Sequence, residues 1–394
     1  MSATGRTTLA YASLGHALCH GSQLLLRVSL VAVALDMGVS LTEIGLAITL
    51  YTLSMGLASV PAGLLADRVG TGRVTCLYFW LIALSAGLCA LDQGYVVFLA
   101  CHALLGAAAG VYHPAGLGLL SVSHEGRARG RAFGLHGVVG SLGIATVPLL
   151  AREMAGGSLG WRGSFICLAG AALVGGMLGV FLLRSGRLPT GQVERVEEDS
   201  GRSLPRGALL LLAAVGINGF LLEGFTTAFP FTMHETMDIT WDPYVMIAGV
   251  LALSGVGQYV GGALSWGGAA RRWYLLMLVV QLALLVGMVL FFEGVVVPLF
   301  FMGAFAFTIY MTQPVENQIV ADLFAQSRRG MGYAAKFLAA LVVGSAAPIL
   351  VTQFLETEGG ASQAYTLLAV ASIPGLCAAW MLWRNGLEES AQEA

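Results

Sequence analysis

The sequence predicts an all-α membrane protein in which twelve transmembrane helices form two parallel six-helix repeats. Its composition, the spacing of its apolar segments and an internal repeat each support this fold class. Of the 394 residues, 57% are hydrophobic and 11% are charged, and the mean hydropathy is +0.80. Soluble domains carry about 25% charged residues, so this chain has too few charges to cover a globular surface. Lipid must therefore cover much of the folded protein.

Apolar segments long enough to cross a bilayer recur along the chain. A bilayer core about 30 Å thick needs about 20 apolar residues in a helix. Backbone polar groups in lipid must be satisfied within the segment, so each segment is predicted to be helical. No cleavage site follows the first apolar run, which we therefore expect to be an uncleaved span. The predicted spans cover residues 9–35, 43–66, 73–91, 95–121, 132–151, 161–183, 207–233, 243–265, 273–292, 295–321, 331–353 and 363–384.

One segment of the sequence is repeated 200 positions further along the chain. Tyr112-His113-Pro114, Arg129-Gly130 and Pro148 correspond to Thr312-Gln313-Pro314, Arg329-Gly330 and Pro348. In an apolar chain such a tandem duplication is typical of secondary transporters, whose halves rock around a site between them. Two six-helix bundles, 1–184 and 207–394, are predicted. A polar segment, 185–206, contains proline and glycine and is predicted to be a cytoplasmic linker.

Basic residues predict the orientation in the membrane. With the N-terminus inside, 16 of the 20 basic residues fall on the cytoplasmic side, whereas the outer loops hold only Arg152 and Arg162. By the positive-inside rule, both termini are expected in the cytoplasm. The chain itself is expected to lie in the cytoplasmic (inner) membrane. Because each half has an even number of spans, the two repeats enter the membrane in the same direction.

The loop after the second span carries a family signature. Residues 63–73 read GLLADRVGTGR, which resembles the motif G-x-L-a-D-R-x-G-x-x-R of the major facilitator superfamily. The resemblance implies the major facilitator fold and alternating-access transport by the whole chain. It also implies that Gly63, Asp67, Arg68, Gly70 and Arg73 form a cytoplasmic gate motif. In the second copy, Gly262 to Arg272, Gly267 replaces the aspartate, so any latch is expected from the first half alone.

Further motifs can be compared with those of particular branches of the superfamily. The family motif R-x-x-Q-G of span 4 corresponds here to His102, Leu105 and Gly106, so its arginine and glutamine are absent. Residues 134–148 carry four glycines at three-residue spacing before Pro148, partly resembling proton-coupled antiporters. The segments 112–116 and 129–137 resemble the fosmidomycin-resistance branch of the superfamily. The span 5 motif implies export, whereas the missing arginine and glutamine of span 4 argue against carrying the family's proton-relay role over to His102.

Charged side chains within the spans are the main candidate site residues. On insertion scales each charge at mid-span costs about 2.5–3.5 kcal/mol, so such residues must face a wet cavity or one another. Arg27 and Glu223 lie on equivalent faces of spans 1 and 7 and are predicted to pair across the two halves. This pair is expected to act in gating or coupling, with a static structural pair as the alternative, and Glu223 and Glu316 are the expected proton carriers. Lys336, the only lysine, is predicted to bind a substrate anion or a coupling proton, with snorkelling to the interface as its alternative.

Polar side chains share the faces of these spans. His16, His20, Gln23 and Arg27 form one helical stripe on span 1. In the superfamily, spans 1, 4, 7 and 10 line the cavity, with 5 and 11 close by. The resemblance therefore implies a cytoplasmic cluster of His113, His136, Glu316 and Lys336. His102 and Gln313 complete the predicted cavity.

Several classes of function are excluded or set aside. A net charge of −2 argues against nucleic acid as a partner. Because the sequence has no Walker motif, this chain on its own cannot drive transport by ATP hydrolysis. No nucleophile–base pair supports an enzyme, no cofactor is expected, and a scaffold or receptor would not need buried charges. The histidine spacing offers only His16 and His20 at i, i+4, so no metal site is predicted, and the histidines are expected to titrate instead.

The leading interpretation is a proton-coupled secondary transporter that exports small organic, anionic or drug-like molecules. Its expected partners are that substrate, protons and the lipid bilayer, and it is expected to act as a monomer. The alternative is an uptake symporter for a small organic anion or a metal chelate. One alternating-access cycle supports both directions, so the sequence leaves this choice open.

Overall fold

The structure is a computed structural model that describes residues 3–91, 93–189, 204–205, 207–236, 241–264, 269–324 and 329–393. All regular elements in these ranges are helices, so the predicted all-α class is confirmed there. The first eight are α1 (Ala3–Val28), α2 (Leu30–Met37), α3 (Leu41–Val69), α4 (Thr71–Cys89), α5 (Tyr95–Gly110), α6 (Tyr112–Ser123), α7 (Gly126–Ala155) and α8 (Trp161–Arg184). The rest are α9 (Ala208–Phe231) with a π-helical turn at Thr232–Thr236, α10 (Pro243–Leu264), α11 (Ala270–Leu290), α12 (Val296–Leu323), α13 (Arg329–Gly344), α14 (Ala346–Leu355) and α15 (Gly360–Glu393).

The number of membrane-spanning helices agrees with the prediction. Within the described residues, 11 helical segments are long and apolar enough to cross a bilayer. The pair α1–α2, which bends by 58° at Ser29, raises the number to 12 if it forms one broken span. Each predicted span overlaps one of these segments. The largest difference in length is at α15, which extends beyond the predicted span at both ends.

A proline lies four residues after the last residue of the helix that precedes each of two interruptions. A proline inside a helix cannot donate to the carbonyl group four residues earlier. Pro114 follows the break between α5 and α6 at Gly110, and Pro348 follows the break between α13 and α14 at Gly344. Their repeat equivalents, Pro314 and Pro148, lie inside the unbroken helices α12 and α7. The two repeats therefore share their prolines but bend at different spans.

The chain divides into two compact units. Unit 1 contains Met1–Glu194 and Trp241–Ala252, and unit 2 contains Arg195–Thr240 and Leu253–Ala394. In unit 1, α1 packs on α7, α3 on α5, and α4 on α8. In unit 2, α9 packs on α13 and α15, and α11 packs on α12 and α15. The start of α10 groups with unit 1, and most of the segment 185–206 lies outside the described residues, so the predicted domain boundaries stay a prediction.

Glycines allow neighbouring helices within unit 1 to approach closely. A Cβ atom added at Gly106 of α5 would overlap the Tyr51 carbonyl oxygen of α3, and one at Gly110 would overlap that of Met55. Small residues of this kind let helix backbones come together where lipid gives no hydrophobic drive for association. In this structure Gly106, which the family resemblance placed in a span 4 motif, is thus a packing position between α3 and α5.

The predicted gate motif forms the turn between α3 and α4. Gly70 ends α3 and begins α4 with a φ of 95°, a conformation that residues with a Cβ atom adopt rarely. Arg73 Nη1 donates to the Val69 carbonyl oxygen at 3.0 Å, which fastens the first turn of α4 to the end of α3. Asp67 is half-buried and Arg68 is exposed. The expected latching role of Asp67 stays a prediction, and Gly267 of the second copy lies outside the described residues.

Candidate functional site

Unit 1 contains a group of four imidazoles, here called the histidine cluster: His16 and His20 of α1, His113 of α6 and His136 of α7. The Nε2 atoms of His16 and His20 are 3.0 Å apart. The His113 ring meets the rings of His16 and His20 edge-on, with centroid distances of 5.6 and 5.4 Å. His136 stacks on His16 at a centroid distance of 4.0 Å. Three helices therefore bring together side chains that lie 120 positions apart at the extremes.

Hydrogen bonds determine which ring nitrogen carries the proton in His16 and His20. His16 Nδ1 lies 2.9 Å from the His136 carbonyl oxygen, which can only accept, so Nδ1 is the donor. His20 Nδ1 lies 2.8 Å from Gln23 Oε1, while Gln23 Nε2 donates to Met55 Sδ at 3.3 Å. A thioether cannot donate, which favours this orientation of the amide and makes His20 Nδ1 a donor too. In the neutral rings, both Nε2 atoms then present lone pairs.

Tyr112 connects the cluster to the backbone of α1. Its hydroxyl group donates to the Ala12 carbonyl oxygen, and His136 Nε2 lies 3.4 Å from the same hydroxyl. The Tyr112 ring is buried and stacks on His16 at a centroid distance of 5.6 Å. In the sequence Tyr112 was recognised only as part of a motif. Its role in supporting the histidine cluster was therefore not predicted. Its place directly before His113 was the available signal.

The glycine stripe of α7 makes room for this arrangement. A Cβ atom added at Gly140 would overlap the His16 ring, and one at Gly143 would overlap the backbone of Ala17. The predicted glycine motif of span 5 therefore serves close packing of α7 on α1 in this structure. Close packing alone accounts for these two glycines, whatever the direction of transport.

Two other predicted residues of unit 1 lie apart from the cluster. His102 is 2% exposed, and its Nδ1 lies 3.0 Å from the Ala47 carbonyl oxygen. Its ring packs among Tyr51 and Phe98 rather than beside another histidine. Arg27 is 3% exposed and donates to the Gln23 carbonyl oxygen at 2.9 Å. Its predicted pairing with Glu223, which is 4% exposed in unit 2, stays a prediction because it concerns both units.

Unit 2 contains a buried ion pair between α12 and α13. Lys336 Nζ lies 3.1 Å from Glu316 Oε2, and each side chain is 4% exposed. The ammonium group also donates to Asn317 Oδ1 at 2.7 Å and to the Gln313 carbonyl oxygen at 3.3 Å. The burial of Lys336 argues against the alternative that it snorkels to the membrane interface. The structure thus brings together two members of the predicted cytoplasmic cluster, Glu316 and Lys336.

The carboxylate of Glu316 has its own hydrogen-bond donors. Asn218 Nδ2 of α9 donates to Glu316 Oε1 at 2.9 Å, and the Tyr274 hydroxyl of α11 donates to the same oxygen at 3.2 Å. Asn218 also donates to Thr312 Oγ1 at 2.7 Å. Asn218, Tyr274 and Asn317 were not among the predicted site residues. Uncharged polar side chains carry a smaller insertion cost than charges, which made their signal weaker.

The polar clusters differ from the predicted grouping. His113 and His136 join His16 and His20 in unit 1, whereas Glu316 and Lys336 pair in unit 2. The expectation that all four of His113, His136, Glu316 and Lys336 form one cluster concerns both units and stays a prediction. Gln313 takes part in unit 2 through its backbone, and its side chain accepts from Gln258 Nε2 at 3.2 Å.

Both arginines of the predicted outer loops form ion pairs in unit 1. Arg152 Nε lies 2.5 Å from Asp242 Oδ2, and Arg162 Nη1 lies 2.6 Å from Asp36 Oδ2. Asp242 also accepts from the Tyr244 N–H group at 2.9 Å, which caps the start of α10. Desolvation acts to raise the pKa of Asp242, but the Arg152 guanidinium and the backbone N–H groups outweigh it and lower the pKa below its usual value.

Comparison with known families identifies the class of this protein. The sequence profile of the Major Facilitator Superfamily matches residues 12–317. The chain belongs to the Major Facilitator Superfamily, and the family resemblance noted at residues 63–73 is confirmed. It therefore has the all-α, multi-pass membrane architecture of the major facilitator fold. The resemblance to the fosmidomycin-resistance branch stays a prediction.

Curated relatives match parts of the chain. A puromycin resistance protein of Streptomyces alboniger is 37% identical over 175 residues, covering 43% of this chain and 34% of the relative. The multidrug resistance protein MdtL of Klebsiella pneumoniae is 26% identical over 235 residues, covering 57% and 58%. A probable L-galactonate transporter of Escherichia coli is 28% identical over 148 residues, covering 37% and 31%. In these matches the chain spans about a third to three fifths of each relative's length.

A solved structure supports the fold. A bacterial homologue of the human lysosomal transporter Spinster, solved in an inward-facing and unoccupied conformation, matches 98% of this chain and 98% of its own. The TM-score is 0.79 at 12% sequence identity. At this identity the likeness is one of fold.

Proposed function

We propose that this chain is a proton-coupled secondary active transporter that exports small organic, drug-like or anionic molecules by alternating access. It acts as a monomer in the cytoplasmic (inner) membrane, with both termini in the cytoplasm. The observation that carries the proposal is the buried ion pair of Lys336 and Glu316, enclosed by Asn218 and Tyr274. The pair places an acid and a base in contact inside a helical membrane bundle.

The free-energy cost of burying two charges in the membrane supports a functional role for this pair. Each charge at mid-span costs about 2.5–3.5 kcal/mol on insertion scales. Replacing a buried ion pair by apolar residues of similar volume is often neutral or stabilising, so a pair of this kind is a poor device for stability. A carboxylate and an amine also exchange protons, which an apolar pair cannot do. We therefore attribute the pair to coupling.

The identity of the basic residue supports proton coupling in particular. A lysine that is removed from water changes its protonation state readily, whereas arginine stays charged. Lys336 is the only lysine of the chain, and the other 19 basic residues are arginines. Protonation of Glu316 would break the ion pair and release Lys336, and loss of that proton would restore it. Coupling would follow if substrate binds only one of these two states.

The relatives support export. The names of two of them state resistance to puromycin or to several drugs, and resistance follows when a drug is removed from the cell. The L-galactonate transporter instead carries the name of an organic anion. An anion would compete with the Glu316 carboxylate for Lys336, so protonation of Glu316 would favour its binding. A symporter binds its proton and its substrate together. Uptake of an anion with a proton is therefore the second candidate function.

An accumulation and toxicity panel tests the proposal. An efflux-deficient bacterium would express the wild type, Glu316→Gln, Glu223→Gln or the control Glu293→Gln, whose side chain is exposed in the loop after α11. The panel would include fosmidomycin, other phosphonates, dyes and common antibiotics. We expect protection by the wild type and the control. Both glutamine variants and an uncoupler should abolish it.

The other outcomes decide against proton-driven export. Increased sensitivity or accumulation with the wild type would replace export by uptake. Equal protection by the wild type and by Glu316→Gln would remove the coupling role of the ion pair. Absence of any effect, with the wild type detected in the membrane, would contradict export of drug-like molecules.

A further inference from the structure

We propose that His16, His20 and His113 form a binding site for a divalent transition metal ion in unit 1. One imidazole nitrogen from each of these residues can be chosen so that the three atoms lie within 4.8 Å of one another. All three side chains are half-buried. The residues come from two helices, α1 and α6, and of the three only His16 and His20 lie one helical turn apart in the sequence. The site goes beyond the proposed function, which rests on unit 2.

The arrangement of the facing nitrogens of His16 and His20 favours a cation between them. Their Nδ1 atoms are committed as donors to the His136 carbonyl oxygen and to Gln23 Oε1. The Nε2 atoms of the neutral rings therefore direct two lone pairs at each other across 3.0 Å. Two acceptors at this distance repel. A metal ion that binds both lone pairs turns the repulsion into coordination.

The distances are close to those of a metal site. A zinc ion binds imidazole nitrogens at about 2.0–2.1 Å, so two nitrogens of a tetrahedral site lie about 3.3 Å apart. The His16–His20 nitrogen distance of 3.0 Å is near this value. The third nitrogen, from His113, lies within 4.8 Å and reaches the ion by a modest rotation of its side chain.

The hydrogen bonds around the cluster match those of metal-binding histidines. A metal-ligating imidazole usually donates its other N–H group to a carbonyl oxygen or a carboxylate, which fixes the ring and its tautomer. His16 makes this bond to a backbone carbonyl oxygen, and His20 makes it to the Gln23 amide oxygen. The second coordination sphere is thus already formed in the protein.

The ligand set selects the class of metal. Neutral imidazoles suit Zn²⁺, Co²⁺, Ni²⁺ and Cu²⁺, whereas Mg²⁺ and Ca²⁺ prefer oxygen ligands. Three protein ligands leave a fourth tetrahedral position to water or to an oxygen atom of a bound organic ligand. The ion can therefore arrive free or as a chelate. The alternative occupant, a proton shared by His16 and His20, uses only two nitrogens, and His113 Nε2 then keeps its contact with Cys19 Sγ at 4.0 Å.

Equilibrium metal binding tests the proposal on the full-length purified protein without a polyhistidine tag. Zn²⁺ affinity would be measured by competition with a chromophoric chelator, and Co²⁺ binding by its visible absorption, which reports tetrahedral coordination. We expect one ion per chain in the wild type and loss of binding in His20→Gln and His113→Gln. The matched control His234→Gln, at the π-helical turn, should bind like the wild type.

A change in the outer ligand shell distinguishes coordination from a structural role. Gln23→Leu removes the hydrogen bond to His20 but no metal ligand, and should weaken Zn²⁺ binding by roughly 10–100-fold. A variant that unfolds is recognised by size-exclusion chromatography. For that case, protection of wild-type histidines from diethylpyrocarbonate by Zn²⁺, but not by Mg²⁺, provides a second measurement that needs no variant.

The outcomes separate the possible occupants. No Zn²⁺ or Co²⁺ binding by the wild type, or unchanged binding by the double variant His20→Gln/His113→Gln, overturns the metal site. The first of these results leaves a shared proton as the occupant. Titration with Zn²⁺ alone and with Zn²⁺ premixed with citrate distinguishes a free ion from a chelate. Because the readout is binding, its result is independent of whether the chain transports protons.

Discussion

Lys336 Nζ lies 3.1 Å from Glu316 Oε2 in unit 2, and the repeat equivalents of these residues in unit 1 are His136 and Gly116. The equivalent basic residue therefore faces no carboxylate at that position. Instead, His136 Nε2 lies 3.4 Å from the Tyr112 hydroxyl group and its ring stacks on His16. After duplication, equivalent spans thus came to hold an ion pair in one half and a neutral imidazole cluster in the other.

Removing one partner of the ion pair should destabilise the protein, whereas removing both should not. Glu316→Leu leaves the buried ammonium group of Lys336 without its carboxylate, and breaking a buried pair costs about 3–5 kcal/mol. In the double variant Glu316→Leu/Lys336→Met this site keeps no unpaired buried charge, so the thermal unfolding midpoint in detergent should return close to that of the wild type.

Transport by the double variant separates coupling from stability. A folded double variant that no longer transports against a substrate gradient supports a coupling role for the pair. Normal uphill transport by the same variant would show that the pair is structural. The substitution Lys336→Arg tests whether coupling needs proton exchange by the side chain at position 336. Arginine keeps the positive charge but does not readily lose a proton.

Physical reasons explain why the sequence predicted some features and missed others. The spans were predictable because the bilayer fixes their length and excludes charge. Lys336 and Glu316 were found for the same reason, since a charge in a span is costly and therefore conspicuous. Asn218 and Tyr274, which hydrogen-bond Glu316, carry no charge and did not stand out.

The composition of the histidine cluster could not be derived from spacing. His16 and His20 are one turn apart, which the sequence shows directly, but the approach of His113 depends on how α6 is rotated and broken after Gly110. The repeat suggested grouping His113 with residues of the other half. In the structure, packing of α1 on α6 and α7 within unit 1 brings His113 to His16 and His20 instead.

Gly140→Ala should disturb the histidine cluster, whereas Gly134→Ala on the same helix should not. The added Cβ atom at Gly140 would overlap the His16 ring, but a Cβ atom at Gly134 meets nothing within 4 Å. Overpacking of this kind costs about 1–3 kcal/mol. We expect a lower thermal midpoint and weaker Zn²⁺ binding for Gly140→Ala only. Equal effects of the two variants would contradict the close packing of α7 on α1.

Gly70→Ala should destabilise the turn between α3 and α4. Gly70 has a φ of 95°, where a Cβ atom is strained, and strain of this kind costs about 1–3 kcal/mol. Gly87→Ala in α4 is the control, because its added Cβ atom meets nothing within 4 Å and alanine favours a helix. Thermal unfolding of both variants measures the difference. A Gly70→Ala midpoint equal to that of Gly87→Ala would argue against this turn conformation.

The ion pair of Arg152 and Asp242 should make stability depend on pH in acid. The pKa of Asp242 in the folded protein lies below its usual value of 3.8. Its contribution is therefore fully present above that value and is lost as the pH falls through the lower folded-state pKa. Asp242→Asn keeps an N-cap for α10 but removes the charge. Its thermal midpoint should be below that of the wild type at pH 7, and the difference should narrow as the pH falls below 3.8.

Salt and a second acidic residue provide the controls for this effect. The Arg152 and Asp242 side chains are 48% and 32% exposed, so salt near 1 M should reduce the difference at pH 7. Glu153 also pairs with Arg152, at 3.1 Å, but is 68% exposed. Glu153→Gln should therefore shift the midpoint less than Asp242→Asn, because an exposed pair contributes little. A difference between the wild type and Asp242→Asn that persists unchanged at pH 3 would assign the effect to capping of α10 rather than to charge.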